Sequence, residues 1–439
     1  MVDFRVNYQR LRHSNMARRI RSFVYKSLVG ADAWPLTFRR PESSDALEML
    51  SSSHLYVHIP FCQTICPHCP YNKRLYDEAL YANYRVALLE EIRSFLGEHP
   101  HCQIESLYFG GGTPSLTPDL LEEVIDLLSH GLSETSEIGV EVHPIHASQA
   151  NLARLRSMKV NRISLGIETF NEEILRKLGR GYSQKQAIMA LEAAKAVGFE
   201  CVDVNLIYGI PGQTGDEVLE NVQLCIDQNV DQISAYPLFS FVHTPLGKQV
   251  ATHKSKQYGE IARLKVQQNI SESCFEAGYQ RSSVWSYTKP AIAPYSTVTR
   301  NDYLGFGAGA GSKVDRYFWF NTFSVEEYAK IRGRKPALVM MANERLEKMH
   351  WVYWQIYKTW IDFSEYRQKF GVHIEDDFYL LIQWLRLLGW GKITPGGMRI
   401  TEKGAVWAHK LQSLYSLSYI DKLWQTCQDV PWPKEVILE

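Results

Sequence analysis

Short apolar runs alternate with segments of helical spacing through the first half of the chain. Residues 55–61, 106–109, 139–143, 162–167, 201–208 and 232–238 are rich in β-branched and aromatic side chains and read as strands. Between them, 78–96, 118–128, 147–158, 183–197 and 215–228 carry apolar positions at helical intervals. Thr117 before Pro118 has the form of an N-cap followed by a first-turn proline, and Gly198 stands where a helix C-cap belongs. Six strands separated by helices predict a parallel sheet with right-handed crossovers. A closed eight-strand barrel needs two more units, and the alternation fades after residue 240. The expected fold is therefore α/β, a partial (β/α)6 TIM-like barrel. In such a barrel the chemistry gathers at the carboxyl ends of the strands.

The same pattern divides the 439 residues. Residues 1–50 read as an N-terminal helical extension and linker, and 51–240 as the partial barrel. Residues 241–335 form a barrel-completing region with a helix at 255–277 and a glycine-rich loop. Residues 336–439 form a C-terminal lid domain in which helices at 343–360 and 376–388 lead into a hairpin over 390–401, a helical, winged-helix-like pattern. Lys+Arg and Asp+Glu are both 48, so no net charge points to a nucleic-acid or membrane partner. The basic N-terminus is followed by no apolar segment, and no apolar run is long enough to span a bilayer. The eight cysteines lack a disulfide-like spacing, which fits a reducing cytoplasm.

Candidate chemistry sits at the predicted strand ends. Cys62, Cys66 and Cys69 follow the first strand at spacings that converge on a soft metal centre from one loop. Three thiolates on a four-iron cube leave one iron open. Zinc would need a fourth ligand nearby, and His68 is too close to Cys69 to close a tetrahedron. Gly110-Gly111-Gly112-Thr113-Pro114 ends the second strand, where glycines let a ligand approach the backbone or simply make a tight turn. Glu141 and Glu168 alternate with apolar neighbours, so each faces one side of its strand, toward a ligand or toward an arginine such as Arg162 or Arg180. Asn205 precedes a Gly-Ile-Pro-Gly turn and reads either polar ligand edges or its own strand neighbours. Residues 305–312, with Gly307, Gly309 and Gly311, offer a cradle without the βαβ unit a dinucleotide fingerprint requires. Trp285, Tyr287, Tyr295, Trp319 and Phe320 are pocket or core aromatics.

Taken together, these motifs resemble the radical S-adenosylmethionine superfamily. Within it, Tyr56-Val-His-Ile-Pro-Phe-Cys62, Asn205-Leu-Ile-Tyr-Gly-Ile-Pro-Gly-Gln-Thr214 and Ile400-Thr-Glu-Lys-Gly404 are similar to the oxygen-independent coproporphyrinogen III oxidase branch. The resemblance implies a [4Fe-4S] cluster on Cys62, Cys66 and Cys69, and S-adenosylmethionine chelating the open iron. One electron then yields methionine and a 5′-deoxyadenosyl radical. It implies Tyr56 flanking the cofactor, Gly111, Gly112 and Thr113 at its methionine part, and Glu141, Glu168 and Arg180 at its ribose and methionine end. An external donor of the flavodoxin or ferredoxin type would supply the electron.

Departures from the branch set the expected reaction. Tyr71 stands where coproporphyrinogen oxidases carry a further cysteine, Glu168 where they commonly have glutamine, and Asn205 where aspartate is common. The stretch 295–304 lacks the His-Asn-x-x-Tyr-Trp segment of the related heme chaperones. The remaining resemblance is to class C radical methyltransferases and cyclopropanases, which implies two S-adenosylmethionines, the second at Gly307, Gly309 and Gly311. The expected acceptor is an sp2 carbon of a small aromatic or alkene substrate. The alternatives are an anaerobic heme- or porphyrinogen-modifying enzyme and a heme-binding, chaperone-like protein, for which His58 could be proposed as an axial ligand, although packing on the barrel floor or a hydrogen bond near the cluster is the favoured role of that residue. No catalytic acid or base is assigned.

Overall fold

The computed structural model describes residues 34–43, 45–241, 243–252, 259–295 and 300–438. Residues 1–33 of the expected N-terminal helical extension lie outside them.

Six strands run parallel and in sequential order: β1 (His54–Ile59), β2 (Ile104–Gly111), β3 (Leu132–Val142), β4 (Arg162–Glu168), β5 (Cys201–Tyr208) and β6 (Gln232–Pro237). Helices α1 (Glu78–Glu98), α2 (Pro118–Leu128), α3 (Gln149–Ser157), α4 (Gln184–Val197) and α5 (Gly215–Asp227) connect them. Leu304–Phe306 adds a parallel strand beside β1, and Ser286–Thr288 with Gln280–Arg281 adds an antiparallel pair beside β6. These two edges do not pair among the described residues, so the nine-stranded sheet is open. Val57, Leu107, Val140, Ile163, Val204 and Ile233 are buried in the main core beside helical Leu88, Leu121, Leu152 and Leu191. The alternate positions Tyr56, Tyr108, Gly139 and Arg162 form one cross-strand row that lines the barrel interior.

Local signals account for most helix ends. Asp77 caps α1 through Leu80 N–H, and Ser183 and Thr214 form capping boxes with Gln186 and Glu217. Gly198 ends α4 at φ 78°, a left-handed geometry glycine adopts without a Cβ penalty. Thr117 is the exception: it precedes Pro118 but makes no side-chain cap.

One further sheet crosses the expected domain limits. Leu36–Arg39, within the stretch expected to be helix and linker, is a strand between Pro336–Met341 and Glu435–Leu438. That sheet, completed by Gly311–Val314 and Tyr317–Asn321, spans the divisions expected at residues 50 and 335. Trp360–Asp362, Gly391–Thr394 and Gly397–Ile400 form a small sheet with helices Glu344–Tyr357, Phe363–Phe370 and Ile374–Leu387, so a strand and a helix over 360–370 stand between the two expected helices. Its core of Trp351, Ile361, Tyr366, Ile382 and Met398 is separate from the barrel core. A long helix, Glu402–Asp429, then returns to the carboxyl ends of the barrel strands, where Trp424 stacks against Phe241.

Candidate functional site

The cysteine loop leaves β1 through the two-residue strand Phe61–Cys62, which pairs with Arg74–Leu75 and closes the loop. Cys62 is buried, Cys66 and Cys69 are half-buried, and all three are free thiols. Desolvation pushes each thiol above its ordinary range, Cys69 to about 12. The Thr113 hydroxyl donates to Cys62 Sγ at 3.5 Å, and Lys73 Nζ donates to the Cys69 carbonyl at 2.6 Å. No group of three His, Cys, Asp or Glu side chains among the described residues is gathered tightly enough to share one metal ion. Zinc requires such a gathering at about 2.3 Å per sulfur. Three thiols on one loop that do not meet at a point instead suit a cluster, in which each thiolate takes a different iron.

The glycine motif locks this loop to β2. Gly112 N–H donates to the Ile59 carbonyl at 2.8 Å, and a Cβ on Gly112 would lie 2.7 Å from the Pro60 carbonyl. Gly111 has φ 120° and hands its N–H to Glu141 Oε2 at 3.2 Å. The glycines therefore serve the close approach of two backbones and also leave Gly111 on the wall of a cavity. Glu141 takes a second hydrogen bond, from the Tyr108 hydroxyl at 2.7 Å. Burial raises its carboxyl to about 7.

Glu168 ends β4 at φ 63°, in the left-handed region, beside a register shift in the β4–β5 pairing. The turn directs its carboxylate to Arg180, and the two form a buried ion pair. Burial raises the Glu168 carboxyl although Arg180 opposes the shift. Arg162 takes a different acid, Glu137, at 3.2 Å. Asn205 Nδ2 donates to Ser164 Oγ, whose own proton goes to Asp203 at 2.8 Å, so one amide N–H is bonded to a strand neighbour.

The cavity inside the barrel measures about 310 Å³ and collects Tyr56, Gly111, Glu141 and Gly309 of the expected residues. Tyr56 stacks on Tyr108 with centroids 6.0 Å apart and donates to His58 Nδ1 at 2.8 Å. His58 Nε2 meets the Asn72 carbonyl at 2.8 Å, and burial lowers the ring to about 4. Both ring nitrogens are thus engaged on a neutral imidazole, which leaves none for axial ligation.

The 305–312 loop departs from expectation. Gly307 and Gly309 have φ 100° and 77°, but the space beside them is filled by protein. A Cβ on Gly307 would lie 2.5 Å from the His58 carbonyl oxygen and the Tyr84 hydroxyl, and one on Gly309 2.7 Å from Asn72. Gly311 sits 2.9 Å, on the same measure, from Phe320. Where a cradle for a second S-adenosylmethionine was expected, the Cβ side of Gly307, Gly309 and Gly311 is packed by protein, and of the three only Gly309 lines the cavity. Of the candidate aromatics only Tyr295 lines the cavity. Trp319 lies in the core, Phe320 against Phe38 and Tyr287 against Ser271, while Trp285 packs on Tyr357 and His409.

Several cavity residues escape sequence reasoning. Tyr108 was legible, since it shares the face of Gly110 at period two. Tyr71, half-exposed, meets Trp424 at 5.7 Å, and Phe323 joins them. Trp424 arrives from some 350 residues downstream of Tyr71, where no local pattern marks it. Its helix is held there by Asp421, 2.6 Å from His243 Nδ1, while His243 Nε2 lies 3.2 Å from the Pro70 carbonyl beside Cys69.

Comparison with known proteins agrees with this arrangement. The model of the radical SAM superfamily matches residues 56–225. The heme chaperone HemW of Lactococcus lactis is 30% identical over 281 residues, 63% of this chain and 73% of its own. The anaerobilin synthase of Escherichia coli O157:H7 is 28% identical over 377 residues, covering 83% of this chain and 84% of its own. Coproporphyrinogen III oxidase from Escherichia coli has the same fold, with a TM-score of 0.72 at 22% identity over 88% of this chain and 95% of that one. The chain belongs to the radical SAM superfamily, in its coproporphyrinogen oxidase-like branch. Membership implies a [4Fe-4S] cluster, S-adenosylmethionine, a reductant and a small-molecule substrate. C-methylation or cyclopropanation with a second S-adenosylmethionine finds no support in these relatives. No described helix is long and apolar enough to cross a membrane.

Proposed function

We propose that this chain is a radical SAM enzyme that modifies a heme or porphyrin under anaerobic conditions. The observation that carries the reading is the match to anaerobilin synthase, which covers 83% of this chain and is too long to be confined to the barrel. The aromatic mouth formed by Tyr71, Phe323 and Trp424 supports it, because flat apolar walls suit a flat conjugated ligand. Cys62, Cys66 and Cys69 would hold the cluster. Tyr56, Gly111, Gly112, Thr113, Glu141, Glu168, Arg180 and Asn205 would surround S-adenosylmethionine. Together the two cofactors supply one-electron radical chemistry that no side chain provides.

The protein's own part is placement and proton control. Glu141, raised to about 7, can hold or release a proton near neutrality and accept an ammonium or hydroxyl donor. Arg180 pairs with Glu168 and opposes the upward shift that burial imposes on its carboxyl. The Glu402–Asp429 helix, pinned through Asp421 and His243 to the cysteine loop, places Trp424 at the mouth.

The test is anaerobic reconstitution with iron and sulfide, followed by hemin, S-adenosylmethionine and dithionite. The expected result is loss of the heme Soret band in step with 5′-deoxyadenosine formation. Tight stoichiometric hemin binding with no 5′-deoxyadenosine and no spectral change would assign the chain to carrier function instead. Decarboxylation of coproporphyrinogen III with hemin untouched would assign it to porphyrinogen oxidation.

A further inference from the structure

The helix Ile374–Leu387 of the C-terminal region is apolar on two opposite sides. Ile374, Phe378, Ile382 and Leu385 are buried in the core around Trp351 and Tyr366. Leu380, Trp384 and Leu387 fall on the other side and are 76%, 67% and 83% exposed. Tyr379 and Leu388 flank them and are exposed as well. No other ten-residue stretch among the described residues exposes five large apolar side chains. A helix that is apolar all round belongs where it is covered all round. At about 200 Å² for a large side chain, these exposures leave on the order of 600 Å² of apolar surface. That is the upper end of the largest patch on an ordinary monomer, and most of the ~800 Å² that each partner of a standard interface hides.

The two ends of this stripe carry opposite charge. Glu375, Asp376 and Asp377 lie in the first turn, where Lys348, shared between Asp377 at 3.0 Å and Glu344 at 2.7 Å, leaves acid in excess. Arg386 lies in the last turn and the exposed Lys392 on the strand that follows, while Lys403 Nζ donates to the Leu388 carbonyl at 3.0 Å. A stripe with unlike ends is complementary to itself when two copies run antiparallel, whereas a parallel pair sets acid on acid and base on base. An anionic membrane surface would meet the acidic turn.

We propose that the stripe is the dimerisation surface of this chain, seated on the same stripe of a second copy about a two-fold axis beside Trp384. Leu380 of one copy then lies opposite Leu387 of the other, the two Trp384 rings meet near the axis, and each acidic turn faces the basic end of the other helix. The surface belongs to a unit whose core is separate from that of the barrel. The pairing therefore does not rest on the heme and porphyrin reading.

Sedimentation velocity of the full chain under reducing conditions, across the micromolar range, tests the pairing. The expected result is a monomer–dimer equilibrium whose dissociation constant rises about tenfold or more in Leu380→Lys and in Leu387→Glu, since each change enters a two-fold interface twice. Both positions are exposed, so both variants should keep the circular dichroism and melting temperature of the parent at dilutions where the parent is monomeric. An equimolar mixture of the two variants should recover association. Antiparallel pairing sets the introduced lysine of one copy against the introduced glutamate of the other, and leaves native Leu387 against native Leu380 across the axis. A chain that stays monomeric throughout, a dimer that the two folded variants leave unchanged, or a mixture that recovers nothing overturns the proposal. Binding of a monomer to phosphatidylcholine vesicles that is lost in Leu387→Glu, with no dimer in solution, overturns it in favour of a lipid surface.

Discussion

Replacing Glu141 by glutamine removes a titrating group while keeping its shape. The Gly111 N–H can still find the amide oxygen, and the Tyr108 hydroxyl can turn from donor to acceptor and take the amide N–H. In the cofactor-free protein the Glu141 carboxyl is raised from 4.5 to about 7, chiefly by burial. The folded state therefore binds this proton up to about pH 7, whereas the unfolded chain releases it near 4.5. Between those values folding takes up a proton, so the group's contribution to stability is full below the lower value and is lost as pH rises to about 7. A shift of this size corresponds to about 3 kcal/mol. That is an upper bound, because Glu141 faces the cavity and keeps some access to solvent. The variant should accordingly gain stability relative to the parent, by up to about 3 kcal/mol between pH 5 and pH 8. Urea denaturation of both proteins without cofactor, under reducing conditions at several pH values, measures the difference. Parallel stability profiles across that range would show that the carboxyl is not held protonated by its surroundings, and the argument from burial would fail.

Single Cys62→Ala, Cys66→Ala and Cys69→Ala variants should each lose the brown absorbance of a reconstituted cluster and all cleavage of S-adenosylmethionine. Retained turnover in any one of them would remove that residue from the ligand set. Gly307→Ala should destabilise the cofactor-free protein by about 1–3 kcal/mol, because the new methyl meets the His58 carbonyl and the Tyr84 hydroxyl. Normal stability with weakened S-adenosylmethionine binding would instead restore the loop as a ligand cradle.

The parts of the site that were legible in the sequence are those fixed by neighbours along the chain. Three cysteines at short spacing, a glycine run after an apolar strand and carboxylates alternating with apolar residues all report local geometry, which the chain imposes before it folds. All six barrel strands and the intervening helices follow for the same reason, since period-two and helical spacing arise from the backbone itself. Glycine is the instructive limit. The sequence says that Gly111, Gly112, Gly307 and Gly309 tolerate something close, but a ligand and another stretch of protein leave the same mark. At Gly307 and Gly309 the neighbours are His58, Tyr84 and Asn72.

What only the tertiary structure decided is which distant segments meet. Leu36–Arg39 becomes a strand because Glu435–Leu438, almost four hundred residues later, supplies its hydrogen-bonding partner. Of the two arginines open to Glu168, Arg180 is chosen because the left-handed turn at Glu168 points that way, while Arg162 faces Glu137. Trp424 reaches Tyr71 because a long C-terminal helix is tied back through Asp421 and His243. Such pairings have no signature in either segment alone: side-chain contacts across the fold depend on the relative position of elements, and packing of the whole chain sets that position.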